Sequence, residues 1–267
     1  MKYAIMSDVH ANPAALAAAL ADARALGCKK YVMLGDITGY GYDAKGALDM
    51  VRESFDIVLM GNHDSACLGM ENSPMDKVSS GYDLDRKQRK SLARDDAKWL
   101  RERPLSCIAD GMAFVHGDFT RPRAWNYITK PAEAVVNFES RKESILFCGH
   151  THHAEVWRVT PDLELSRPSD KLIGPAPSAP ESILFARGKG DRHLVNVGSI
   201  GYPREDHCST YAICDPTTDA FEIRRLPFDF KSYVMMMLDR DINLPGWLAD
   251  LLPSVCGTPP RQIRAGI

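Results

Sequence analysis

Short apolar runs alternate with helical stripes over the first sixty residues. Tyr3–Met6 is four consecutive apolar residues and predicts a strand. Asn12 is placed to cap a helix with Pro13 at its first turn, and Leu16, Leu20, Ala23 and Leu26 recur at helical spacing until Gly27 ends the stripe. Tyr31–Leu34 predicts a second strand, residues 44–53 a second helix and Ile57–Met60 a third strand. This alternation is the pattern of βαβ units with a parallel-leaning sheet. Residues 83–101 predict one long charged helix. Beyond it the texture changes: runs at 105–108, 112–115, 144–148, 154–159, 183–187, 193–197, 210–214 and 220–225 predict strands, with one helix near 131–142. The second half therefore reads as a mixed or antiparallel sheet.

Residues 166–190, rich in proline and glycine, read as an irregular excursion. The stretch from Asp229, with Met235, Met236, Met237 and Trp247, reads as a packing extension. The expected organisation is a domain over 1–228, with insertions at about 65–105 and 166–190, and a 229–267 extension of that same domain.

The chain has 267 residues, 45% hydrophobic and 25% charged, with a formal net charge of −2 and a pI of about 6.4. It is long enough to bury a sizeable core unaided, and its charge gives no footprint for coating long nucleic acids or anionic membranes. No apolar run reaches a membrane span, and no signal peptide is legible. Seven cysteines, never spaced as CxxC, read as free thiols and predict a cytoplasmic location.

The chemistry lies at the ends of five apolar runs. Residues 4–6 lead to Ser7, Asp8 and His10; residues 31–34 to Gly35 and Asp36; residues 57–60 to Gly61, Asn62, His63 and Asp64. Residues 113–115 lead to His116 and Gly117, and residues 145–148 to Gly149, His150 and His152. Of the eight histidines, six fall in these segments or adjoin them, His153 being the adjoining one. Ligand sites in α/β sheets form beyond the carboxyl ends of strands. Carboxylate and amide oxygens mixed with imidazoles suit Mn, Fe, Zn or Ni, manganese among them, rather than calcium. His150 and His152 would share one face of a strand, with His153 on the other.

These stretches, Asp8-Val9-His10, Gly35-Asp36-Ile37-Thr38-Gly39, Gly61-Asn62-His63-Asp64, His116-Gly117 and Gly149-His150-Thr151-His152, resemble the calcineurin-like metallophosphoesterases. The resemblance spans about residues 1–225 and is nearest to small bacterial phosphodiesterase-type members. It implies an α/β four-layer αββα sandwich of two mixed sheets flanked by helices. It also implies two divalent transition metal ions, one held by Asp8, His10 and His152 and one by Asn62, His116 and His150, with Asp36 bridging. A hydroxide bridging the pair would attack the phosphorus, most readily of a phosphodiester. His63 would serve the leaving oxygen, with Asp64 orienting it as a second catalytic residue.

Tyr40 and Arg204 are candidate substrate contacts, and Asn196 and Ser199 read as holding loop geometry beside the site. The alternating charges of Asp83, Asp85, Arg86, Lys87, Arg89, Lys90, Arg94, Asp95 and Asp96 read as a solvated helix face. The expected partner is a small phosphorylated, possibly nucleotide-like, substrate, with neither long nucleic acid nor membrane. A phosphomonoesterase or nuclease using the same site stays open, as does a non-catalytic scaffold ordered by metal.

Overall fold

Strand β1 (Tyr3–Met6) is buried along its whole length, as an apolar run without polar alternation requires. Tyr3 and Ile5 pack in one core cluster and Ala4 and Met6 in another, because successive side chains leave a strand on opposite faces. The structure, a computed structural model, describes residues 1–70, 84, 87–172, 174–204, 207–242, 244 and 248.

Helix α1 (Pro13–Ala25) follows β1 and buries Leu16, Ala19, Leu20 and Ala23. Asn12 caps it, its Oδ1 accepting from the Ala15 amide at 3.2 Å, a contact of the kind worth about 1 kcal/mol. Strand β2 (Lys30–Met33), helix α2 (Ala44–Ser54), strand β3 (Ile57–Val58) and helix α3 (Asn62–Cys67) complete the parallel start. Then come α4 (Arg94–Arg101), β4 (Ser106–Ala109), β5 (Met112–Val115), α5 (Pro131–Glu139), β6 (Ile145–Cys148), β7 (Ala154–Val159) and β8 (Leu165–Ser166). Strands β9 (Glu181–Ala186), β10 (Arg192–Val197), β11 (Cys208–Cys214) and β12 (Ala220–Pro227) close the fold.

The strands form two six-stranded sheets, ordered β3-β2-β1-β11-β12-β9 and β4-β5-β6-β10-β7-β8. Both are mixed: β1 pairs parallel with β2 and antiparallel with β11, and β10 pairs parallel with β6 and antiparallel with β7. Ile5, Val32 and Leu34 of the first sheet share a core with Phe114, Phe147 and Val195 of the second. The outer face of the first sheet is covered by α1 and α2, and that of the second by Ala134 and Phe138 of α5. The result is the expected four-layer αββα sandwich of two mixed sheets.

Three expectations are corrected. The second half of the chain does not make a sheet of its own, because β11, β12 and β9 extend the first sheet beyond β1. The 166–190 excursion contains a 3-10 helix (Pro168–Leu172) and most of the edge strand β9. The single helix over 83–101 is interrupted at residues 90–93, and Asp96 is not on a solvated face. Asp96 is buried, accepts from the Ala93 amide at 3.1 Å at the start of α4, and pairs with Arg52 at 2.7 Å. Of the charges assigned to that face, Asp83, Asp85 and Arg86 lie outside the described residues.

The chain divides into two compact units, residues 1–227 and 228–267. The second contains α6 (Phe230–Asp239), which holds the three methionines and is capped by Asp229 through the Ser232 amide at 3.0 Å. Trp247 lies outside the described residues. Among the described residues, no helix is long and apolar enough to cross a membrane.

Candidate metal centre

The carboxyl ends of β1, β2, β3, β5 and β6 each deliver a short loop, and side chains of these loops converge. These loops follow an unusual backbone. Asp8, His10, Ala11, Asp36, Tyr40, His150 and His152 all have φ between 46° and 72°, a left-handed region that costs non-glycine residues energy and concentrates at functional sites. His150 and His152 are therefore not on a strand, as the sequence suggested, and His153 is not on its opposite face. They form a turn between β6 and β7. The turn sends the His150 ring toward His116, 4.9 Å between centroids, and the His152 ring toward His10, 4.7 Å away.

Close approach between loops depends on two glycines. A Cβ on Gly149 would collide with Ser7 Oγ and lie 2.6 Å from Asp8 Oδ2, and one on Gly61 would collide with the Asp36 carboxylate and amide. The space left lets each carboxylate use one oxygen on backbone. Asp8 Oδ2 accepts from the His150 amide at 3.0 Å, and Asp36 Oδ1 accepts from the His63 amide at 2.8 Å. The other oxygens, Asp8 Oδ1 and Asp36 Oδ2, are buried without a hydrogen-bond partner, as are Ser7 Oγ and His116 Nδ1.

Imidazoles face those two free oxygens. Asp8 Oδ1 lies 3.5 Å from His10 Nε2 and 3.3 Å from His152 Nε2. Asp36 Oδ2 lies 3.7 Å from His10 Nε2 and 3.3 Å from His116 Nε2, standing between the two groups. Asn62 joins through its Oδ1, 3.1 Å from His116 Nε2. Ligand-capable atoms of Asp8, His10 and His152, of Asp36, His116 and His150, and of His10, Asp36 and His63 each lie within 4.8 Å of one another. All seven residues expected to hold metal are thus brought together, and His63 stands beside them.

The ring orientations are fixed by carbonyl oxygens, which only accept. His10 Nδ1 donates to the Thr38 carbonyl at 3.0 Å and His152 Nδ1 to the Tyr202 carbonyl at 2.9 Å, so both Nε2 atoms present lone pairs, 3.0 Å apart. His150 Nε2 donates to the Trp125 carbonyl at 2.8 Å, which leaves Nδ1 as its lone-pair atom. Outer hydrogen bonds of this kind set metal-binding tautomers. Burial pushes His10 down to about 4 and His150 to about 3, so both are neutral near pH 7. Burial raises Asp8, but His152 and His10 outweigh it and hold the carboxyl well below its usual range. Asp36 is lowered too, burial opposing and His116 and His63 prevailing. Burial lowers His116, yet Asp36 beside it raises the ring to about 9. Two buried carboxylate oxygens without donors are costly, and convergent imidazole lone pairs add repulsion. A divalent cation relieves both, so the residues present fit metal.

Asp64 occupies a different place. Its Oδ1 accepts from the Ile37 amide, the Thr38 amide and Thr38 Oγ1 at 3.0–3.1 Å, and its Oδ2 from the Gly61 amide at 3.1 Å. Burial and the Asp36 charge push it up to about 7 against those amides. It ties the loop after β2 to the start of α3, and through Thr38 it fixes the carbonyl that orients His10. Asn196 braces the opposite side, donating to the Gly149 carbonyl at 2.6 Å and to Thr151 Oγ1 at 3.0 Å. Ser199 Oγ donates to the Asp8 carbonyl at 2.9 Å.

Tyr40 lies over the site, its ring 4.7 Å from His10, 4.4 Å from His63 and stacked on Tyr202 at 4.5 Å. Arg204, half-buried, is near enough to act electrostatically on the Tyr40 hydroxyl. Sequence reasoning missed Thr38, Trp125 and Tyr202, which act through backbone carbonyls that carry no residue signature. It also missed Tyr127, stacked on His150 at 4.4 Å, and Gln88. The Gln88 amide bridges the Gly39 amide and the Gly41 carbonyl, at 2.7 and 3.0 Å, beneath Tyr40.

An αββα sandwich with a carboxylate–imidazole cluster at its strand ends defines a class of metal-binding hydrolase scaffold. The comparisons with known proteins agree. Residues 1–219 match the calcineurin-like phosphoesterase superfamily domain, and the chain belongs to that family, one of phosphoester hydrolases. An uncharacterized protein of Methanocaldococcus jannaschii is 28% identical over 262 residues, covering 93% of this chain and 96% of the relative. The crystal structure of a metallophosphoesterase from Sphaerobacter thermophilus is 27% identical, covers 93% of this chain and 96% of its own, and superposes with a TM-score of 0.73.

Proposed function

We propose that the protein hydrolyses phosphodiesters at a pair of divalent transition metal ions. Asp8, His10 and His152 would hold one ion, Asn62, His116 and His150 the other, and Asp36 would reach both. The observation that carries this reading is the pair of partnerless carboxylate oxygens, Asp8 Oδ1 and Asp36 Oδ2, each faced by imidazole nitrogens. Bound there, two ions supply the charge that draws in a phosphate and lowers the pKa of water toward neutrality.

The protein's own groups do the rest. Asp8 and Asp36, held ionised by the imidazoles, keep the site anionic enough to retain cations at neutral pH. His63, its amide bound to Asp36 and its ring against Tyr40, donates a ring N–H to the leaving ester oxygen. Asp64 keeps the loops of Thr38 and Gly61 in register and acts as a positioning residue. The preference for a diester rests on the likeness of the strand-end motifs to phosphodiesterase-type members of the family. The free thiols of Cys28, Cys107, Cys148 and Cys214 favour a reducing, cytoplasmic setting.

The test is to strip the protein with chelator, restore Mn, Ni, Fe, Zn or Mg separately, and assay bis-p-nitrophenyl phosphate beside p-nitrophenyl phosphate. Metal-dependent cleavage favouring the diester, and abolished in Asp36→Asn, supports the proposal. A monoester preference refutes the diester part. Metal uptake without hydrolysis of either compound refutes the catalytic reading in favour of a metal-ordered scaffold.

A further inference from the structure

The turn that carries Tyr40 over the metal centre, Gly39-Tyr40-Gly41, is left-handed at its first two residues, with φ 89° and 46°. Such backbone persists at a non-glycine residue only where its surroundings enforce it. Thr38 before the turn is fixed by Asp64, and Tyr42 after it donates to the Ala11 carbonyl at 3.1 Å. Gln88, from the segment that precedes α4, ties the span between them. Its Oε1 accepts from the Gly39 amide at 2.7 Å, and its Nε2 donates to the Gly41 carbonyl at 3.0 Å. Only one orientation of the side-chain amide serves both groups, since an N–H donates and a carbonyl accepts. Gln88, Gly39 and Gly41 are all buried. Removing the side-chain amide therefore takes a partner from a buried donor and from a buried acceptor.

The same turn shapes the place of His63. A Cβ on Gly39 would lie 2.6 Å from His63 Nδ1, so bare glycine backbone runs along one side of the imidazole. The Tyr40 ring stands 4.4 Å from it, and the His10 ring meets it edge-on at 5.0 Å. The last torsion of a histidine has broad minima, so contacts of this kind set the plane of the ring. Gly41 anchors the far end of the turn, where a Cβ would collide with the His10 carbonyl. Gln88 thus grips both ends of a turn whose middle is packed on His63.

We propose that Gln88 is a positioning residue for departure of the leaving group. By locking Gly39-Tyr40-Gly41 it holds the His63 ring where its N–H meets the leaving ester oxygen. The inference rests on the phosphodiesterase reading, and adds to it a residue of the 65–105 insertion that lies far in sequence from every metal ligand.

The test compares methyl phenyl phosphate with methyl p-nitrophenyl phosphate on the Mn-loaded protein. These diesters differ only in the leaving group, and phenoxide, the stronger base, needs a proton more. Gln88→Met keeps the length of the side chain and removes both hydrogen bonds. With metal content unchanged, its kcat/KM is expected to fall about tenfold or more on the phenyl ester and less than about threefold on the nitrophenyl ester. In a His63→Asn background the same change is expected to cost less than about twofold on the phenyl ester, because two residues acting through one ring are not additive. Equal losses on both esters, no loss on either, or an undiminished loss in the His63→Asn background each overturn the inference. Should Gln88→Met not fold, Gln88→Glu carries the same comparison, since its carboxylate accepts from Gly39 and loses the donor to Gly41. If the wild type cleaves neither ester, the phosphodiesterase reading has failed, and proton NMR still tests the positioning. The His63 Cε1 proton, identified by its loss in His63→Asn, feels the ring current of Tyr40. Gln88→Met is expected to move its signal in the direction that Tyr40→Leu does, and an unmoved signal refutes the role of Gln88.

Discussion

Nε2 of His10 stands 3.0 Å from Nε2 of His152, while the Nδ1 hydrogens of both rings are held by the carbonyls of Thr38 and Tyr202. Neither ring can turn its lone pair away without breaking a buried hydrogen bond. The protein therefore carries a fixed electrostatic conflict, sharpened by the free oxygen of Asp8, which a cation removes.

That conflict predicts a large thermal response. At about a hundredfold excess of metal over its dissociation constant, binding to the folded state adds about 2.7 kcal/mol, raising Tm by about 5 °C or more in a protein of this size. Asp36→Asn removes the carboxylate that pairs with His116 and holds its ring raised. It is expected to melt below the wild type in chelator and to show little response to metal. Calorimetry with and without Mn measures both.

Asp64→Asn puts an amide N–H₂ where the carboxylate accepts from backbone. The variant is expected to lose about 2–3 kcal/mol of stability, because a buried amide loses its acceptor, and to bind metal about 10- to 100-fold more weakly. The second effect runs through Thr38 to His10. Denaturant unfolding and metal titration separate the two, and loss of stability with unchanged metal affinity would restrict Asp64 to holding the fold.

His63→Asn keeps the amide that Asp36 Oδ1 accepts from and removes only the ring. It is expected to retain metal while slowing turnover of diesters with poor leaving groups about a hundredfold or more. p-Nitrophenyl esters, whose leaving oxygen needs little protonation, are expected to lose much less. Steady-state kinetics on paired alkyl and nitrophenyl substrates, with metal analysis of each sample, checks this.

His193 predicts a pH dependence away from the metal centre. Its ring sits on β10 against Phe221 of β12, between the sheets, and burial lowers it to about 4 from 6.5. Below pH 6.5 the unfolded chain takes up a proton that the folded protein refuses. The stability present above pH 6.5 is therefore lost as pH falls toward 4, by about 3 kcal/mol. Urea unfolding of the wild type and of His193→Leu between pH 7 and 4 is expected to show a shallower slope in the variant.

The helices and strands of the first sixty residues were legible because capping and periodicity are local. Asn12 before Pro13 marks the first helix start, and its cap is present. The five strand-end motifs were legible because the side chains that meet a cation are few in kind. What was not legible depends on backbone. The left-handed turns at His150 and His152 separate two imidazoles that a strand would have placed together. The carbonyls of Thr38, Trp125 and Tyr202 orient rings whatever side chains those residues carry. Nor could the pairing of β11 with β1 be read, since Tyr3 and Cys214 meet across almost the whole chain. His193 gave no local signal, because its burial comes from Phe221 in the opposite sheet.

The central claim is that two ions share the site with Asp36 between them. A crystal grown with Mn and measured for anomalous scattering tests it most directly. Two peaks are expected, one beside Asp8, His10 and His152, the other beside Asn62, His116 and His150, with Asp36 Oδ2 within reach of both. A single peak, or peaks away from these residues, would contradict the account.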